Sequence, residues 1–80
     1  MNDEQIHQAI EELVAEEHRL WDDQARGGHT DSDAQRLTVV KITLDRYWDL
    51  LRQRRAYEEN HLDPEAAHLR DTGVVENYRQ

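Results

Sequence analysis

Two apolar heptads restrict this chain more than anything else in it. Ile6, Leu13 and Leu20 recur every seven residues, and Leu37, Leu44 and Leu51 repeat the pattern further along. Seven residues make two helical turns, so each set lines one stripe of a helix. Ile10, Val14 and Trp21 widen the first stripe; Val40, Tyr47 and Arg54 accompany the second. Between them lies GGHTDS, a turn sequence. Gly27-Gly28 supplies the left-handed backbone that stops a helix. The pattern predicts helix 1 over 3–26, a turn at 27–31, helix 2 over 32–59 and a tail over 60–80, all in one domain. The fold class is all-α, an antiparallel two-helix hairpin of coiled-coil type with a partly helical tail.

The ends of the helices carry their own signals. Asn2 with Gln5 has capping-box spacing, and Asp3 and Glu4 fall at the positive end of the first helix dipole. Thr30 or Ser32 can cap the second helix, Ser32 having Gln35 at box spacing. A register that sets Leu20 against Leu37 also sets Leu13 against Leu44 and Ile6 against Leu51.

Charge reinforces that antiparallel order. The chain has a formal net charge of −8. Residues 1–26 hold eight acids against two arginines, whereas 32–60 hold six bases against five acids. In the leucine register Arg54 falls opposite Asp3, Arg46 opposite Glu11, Lys41 opposite Glu16 or Glu17, and Arg36 opposite Asp22. Each exposed pair is worth only about 0–1 kcal/mol, but together they disfavour a parallel or slipped pairing. The arginine cluster Arg52, Arg54 and Arg55 therefore has an internal use. It is also the best candidate for recognising carboxylates or phosphates, because guanidinium forks suit both.

In the tail, Asp63-Pro64-Glu65 is a helix-start signal, predicting a short turn of helix through Ala66, Ala67 and Leu69. Val74, Val75 and Tyr78 are expected to form an apolar hook, and the tail to pack on the hairpin or on a second subunit.

Eighty residues bury only a modest core, so a staple or a second copy is expected. The chain has no cysteine, which removes disulfides and thiolate zinc sites. No apolar run approaches the ~20 residues that span a bilayer, and MNDEQIHQ lacks a signal pattern. A cytoplasmic address follows as the expectation, with no membrane contact. Net negative charge disfavours nucleic acid, whose affinity comes from phosphate neutralisation.

Chemical motifs are sparse. Glu4-x-x-His7 and Glu65-x-x-His68 share the spacing by which one helix offers two ligands to a di-iron site, but matches are common in a chain so rich in Glu and His. Glu16-Glu17-His18 places a carboxylate beside apolar surface, where an edge ion pair is the ordinary outcome. No Ser-His-Asp order or Gly-rich phosphate loop occurs. No enzyme activity and no cofactor are expected. Trp21 and Trp48 lie beside the seam, as do Val14, Val39, Ile42 and Leu50. That apolar flank exceeds what two helices cover, and it predicts a homodimer, a four-helix bundle with Trp21 and Trp48 in its interface.

The stretches IEELVAEEHRLW (10–21), LDRYWDLLRQRRAYEE (44–59) and DPEAAH with VVENY (63–78) resemble a family of similarly short actinobacterial proteins classed as a domain of unknown function. The resemblance spans nearly the whole chain. It implies a small helical protein and carries no catalytic residues to transfer. The combined reading is a helical interaction or regulatory module whose contact residues are Trp21, Trp48, Arg52, Arg54 and Arg55. The alternatives are a nucleic-acid binder using the same arginines, and a metal protein using Glu4, His7, Glu65 and His68.

Overall fold

A computed structural model describes residues 1–70. Two long helices, α1 (Asp3–Ala25) and α2 (Asp31–Glu59), pack against each other, and a single 3-10 turn, Pro64–Ala66, follows. No strand occurs among the described residues. The expected hook of Val74, Val75 and Tyr78 lies outside them.

Each helix end is fixed by local chemistry. The Asn2 carboxamide oxygen accepts from the Gln5 amide at 2.8 Å, and the Gln5 side chain accepts from the Asn2 amide at 2.9 Å. This closes the capping box and satisfies two amides that α1 leaves open. α1 ends in a Schellman turn: Gly28 donates to Asp23 and Gly27 donates to Gln24, with Gly27 at φ +79°. Thr30, not Ser32, caps α2, and its box partner is Asp33 rather than Gln35. α2 closes in the same way as α1, through Leu62 to Tyr57 and His61 to Glu58. There the left-handed position is taken by His61 at φ +59°.

The core is one seam. Ile6, Ile10 and Leu20 from α1 bury against Leu37, Val40, Leu44 and Leu50 from α2, and Ile6 and Val40 are sealed from solvent. Leu13 and Leu51, expected at the centre of the seam, are only half-buried, and Leu50, expected beside it, is fully buried. Two causes combine. A straight helix drifts by about 20° per heptad, so a strict seven-residue stripe does not stay on the contact line. And the chain after α2 folds back onto the Leu50 side, adding Ala67 and Leu69 to the core.

That returning segment starts as expected. Pro64 opens the turn and the Asp63 carboxylate caps it by accepting from the Glu65 amide. It stops at Ala66, short of the predicted Leu69, and Ala67 is extended. The reason lies in α2. Its Gln53 side chain donates to the His68 carbonyl at 2.8 Å, and its Arg46 donates to the Arg70 carbonyl at 3.0 Å. The backbone is thus tied to α2 side chains instead of to itself.

Candidate interaction surface

The hairpin has two broad faces, which differ in how they are finished. One carries the returning segment. Asp49, Gln53 and Arg54 are buried there although all three are polar. Burial without partners would be costly, and each has partners. The Gln53 carboxamide donates to Asp49 as well as to the His68 carbonyl, and Arg70 lies 3.4 Å from the Asp49 carboxylate.

Arg54 is the centre of that face, with 7% of its surface exposed. Its guanidinium donates to the Asp3 carboxylate, to the Met1 carbonyl at 2.7 Å and to the Pro64 carbonyl at 3.1 Å, and it pairs with Glu65. One side chain therefore ties the start of α1 to the turn after α2. The hydrogen bond it donates to Asp3 is the main reason the guanidinium holds its proton more tightly than usual, opposed by burial and helped by Glu65. Arg54 meets Asp3 as the register anticipates.

The other three anticipated pairs do not form. Arg36 takes Glu16, with Nη2 at 2.8 Å from Oε1, instead of Asp22. Arg46 takes the Arg70 carbonyl instead of Glu11. Lys41 sits over the Trp21 ring, 5.9 Å from its centroid, instead of beside Glu16 or Glu17. The leucine register matched heights along the axis and ignored rotation about it. Asp22 and Glu16 are six residues apart, roughly 240° of rotation even before height is counted. Glu16 lies on the side of α1 that Arg36 can reach. There the hydrogen bond from Arg36 lowers the Glu16 carboxyl below the usual Glu range, against a smaller opposing effect of burial. That outcome is the reverse of a poised acid.

The second face is open. Trp48 is 44% exposed and Trp21 43%. Both lie on the same side. Lys41 and Trp48 are seven residues apart on α2, hence on one stripe, and Lys41 covers Trp21. His18 stacks on Trp21 at 5.7 Å between ring centroids. Toward the far end of the hairpin lies a cleft of about 390 Å³, bordered by His7, Trp48, Leu51, Arg52 and Arg55, with Glu58 and the Asp3–Arg54 pair also in its wall. Arg52 and Arg55 form no ion pair with any described residue. The three clustered arginines are thus divided by the helical turn: Arg54 points into the fold, while Arg52 and Arg55 flank Trp48 at the surface.

The candidate metal residues are not brought together. Glu4 and His7 share a shallow depression on α1, but Glu65 is taken by Arg54 and His68 offers its carbonyl to Gln53. Among the described residues no three His, Asp or Glu side chains are placed to hold a metal ion. The network of Asp49, Gln53 and Arg46 was missed by sequence reasoning. Its signal was present: Arg46, Leu50 and Gln53 follow helical spacing, so polar residues flank a leucine on one stripe. Among the described residues no helix is long and apolar enough to cross a membrane.

The chain is similar to uncharacterized proteins of Mycobacterium bovis and Mycobacterium tuberculosis. Each is 44% identical over 70 residues, covering 86% of this chain and 80% of theirs. No solved structure matches it. The profile of one family, described as a protein of unknown function, DUF2630, matches residues 2–80, and the chain belongs to that family.

Proposed function

We propose that the protein is a small helical interaction module that docks another helical protein surface on its Trp21–Trp48 face. The observation that carries this reading is the pair Arg52 and Arg55, which form no ion pair with any described acid beside a half-exposed tryptophan in a chain of net charge −8. Acids are plentiful in this molecule, yet none of the described ones is spent on these two. Tryptophan and arginine are the side chains that dominate protein interfaces. Burying a large apolar side chain is worth roughly 1.5–3 kcal/mol. The arginines, at the edge, select an acid-bearing surface and fix its orientation. Trp21, Trp48, Arg52 and Arg55 are the contact residues. Arg54 acts within the fold by holding the end of the hairpin beneath them.

A nucleic-acid reading uses the same arginines and has the net charge against it, because phosphate neutralisation is its main source of affinity. The test compares capture from native lysate by tagged wild type, by a Trp48→Ala/Arg52→Ala/Arg55→Ala variant, and by an Arg36→Ala control from outside this face. The expected result is a protein retained by wild type and the control and lost by the triple variant, the chain's own untagged copies included. Identical profiles for all three, or retention that persists only with nucleic acid and vanishes on nuclease treatment, would overturn the reading.

A further inference from the structure

We propose that the occupant of the open face is a second copy of this chain, related by a two-fold axis running along the hairpin, so that α1 of each copy lies on α2 of the other. The proposal rests on the reading of that face as a docking surface and names what docks.

Stable domains bury their apolar stripes between two layers, yet Trp21 and Trp48 are left 43% and 44% exposed on the open face. The returning segment supplies a second layer on one face only.

The open sides of the two helices carry matched stripes. His7, Val14 and Trp21 recur at heptad spacing on α1; Lys41, Trp48 and Arg55 do so on α2. Each stripe spans two heptads, about 21 Å of helix. The chain's own contacts fix their relative heights. Trp21 is level with Lys41, and His7 borders the cleft of Trp48 and Arg55. Rotation about the long axis leaves height unchanged. The second copy's α1 therefore meets this α2 with Trp21 at Lys41, Val14 near Trp48 and His7 near Arg55.

Charge then selects the axis. A two-fold across the hairpin would stack α1 on α1 and α2 on α2, setting the acid-rich arm, eight acids against two arginines, against itself. The lengthwise two-fold sets Glu4 and Glu11 of the second copy toward Arg52 and Arg55, which form no ion pair with any described residue of their own chain. Like charges placed opposite one another disfavour the alternative. The product is a four-helix bundle in which every neighbouring pair is antiparallel.

The test is a charge exchange read by sedimentation equilibrium and light scattering, with circular dichroism confirming helix content. Wild type is expected at twice the chain mass of 9.5 kDa. Arg52→Glu/Arg55→Glu alone and Glu4→Lys/Glu11→Lys alone are expected as monomers. An equimolar mixture of the two is expected to recover the dimer, since each reversed arm then meets its complement. The chain has no cysteine, so a second measurement is open should the reversed variants unfold. Glu11→Cys in one copy and Arg52→Cys in another are expected to give the mixed disulfide well above either self-disulfide. Wild type that remains at 9.5 kDa at every concentration, self-disulfides equal to the mixed one, or dimers indifferent to charge reversal would overturn the proposal. If wild type is monomeric while capture in the lysate still depends on Trp48, the face docks a different chain. If both fail, the docking surface itself is refuted.

Discussion

The two faces of the hairpin solve the same problem by different means. On the returning-segment face the chain buries Asp49, Gln53 and Arg54 and gives every one a partner from its own backbone or side chains. On the opposite face two indole rings stay half in water, and the guanidinium groups of Arg52 and Arg55 form no ion pair with any described residue. The same helix makes both. Leu50 belongs to the finished face and Leu51 to the open one, and the buried Arg54 is spent on Asp3 and Glu65 where its neighbour Arg55 is exposed. A step of one residue, about 100° of rotation, decides whether a side chain works inside the fold or is offered outside it.

The largest expected effect breaks this comparison at the leucines. Leu50→Ala should cost about 2–5 kcal/mol, because the site lies under the returning segment and cannot collapse easily. Leu51→Ala, half-buried, should cost about 1–2 kcal/mol at chain concentrations too low for assembly. Chemical denaturation measures both. Equal costs, or the reverse order, would mean that the two faces are not finished as differently as they look.

Next come the arginines. Arg54→Ala removes charge-assisted bonds to Asp3 and Glu65, two hydrogen bonds to carbonyls, and the packing of a long apolar stem. A loss of about 2–3 kcal/mol is expected, with earlier hydrogen exchange at residues 63–70. Arg52→Ala and Arg55→Ala should stay within about 0.5 kcal/mol at the same low concentration. Comparable losses for all three would erase the distinction between a latch and a docking edge.

Much of the hairpin was legible in the sequence, and the reason is local. Heptads of leucine, the Asn2 and Gln5 box and the Gly27 stop are short-range signals, and each forms where its residues stand. What failed was rotational. Axial height follows from counting residues, so Arg54 found Asp3. Whether Arg46 looks toward Glu11 or away from it depends on which side of the seam it occupies, and a one-dimensional register does not carry that. The surplus apolar flank was visible too, but its division was not. Ala67 and Leu69, from a segment after α2, pack against the core that includes Leu50, and only packing reveals which flank that segment takes. Of the candidate contact residues, Trp21, Trp48, Arg52 and Arg55 share the open face, and Arg54 lies under it.

The smallest expected effect concerns the edge that neither face owns, the Glu16–Arg36 pair. Glu16 is held below the usual Glu range by the hydrogen bond from Arg36, with Arg36 and Arg19 adding charge attraction. A carboxyl whose folded value is depressed stabilises the fold above its unfolded value, and that contribution is lost as pH falls through the folded one. Wild type should therefore melt slightly above Glu16→Gln at neutral pH. The difference should shrink as pH drops below the ordinary Glu range and vanish once Glu16 is protonated in the folded chain. Every other carboxyl titrates in both proteins and cancels in the comparison. Salt should narrow the gap at neutral pH as well, because the guanidinium is open to solvent. A gap that survives in strong acid would mean that Glu16 contributes by packing over Leu13 and Tyr47, which border the same depression, and that its ion pair is incidental to the hairpin's stability.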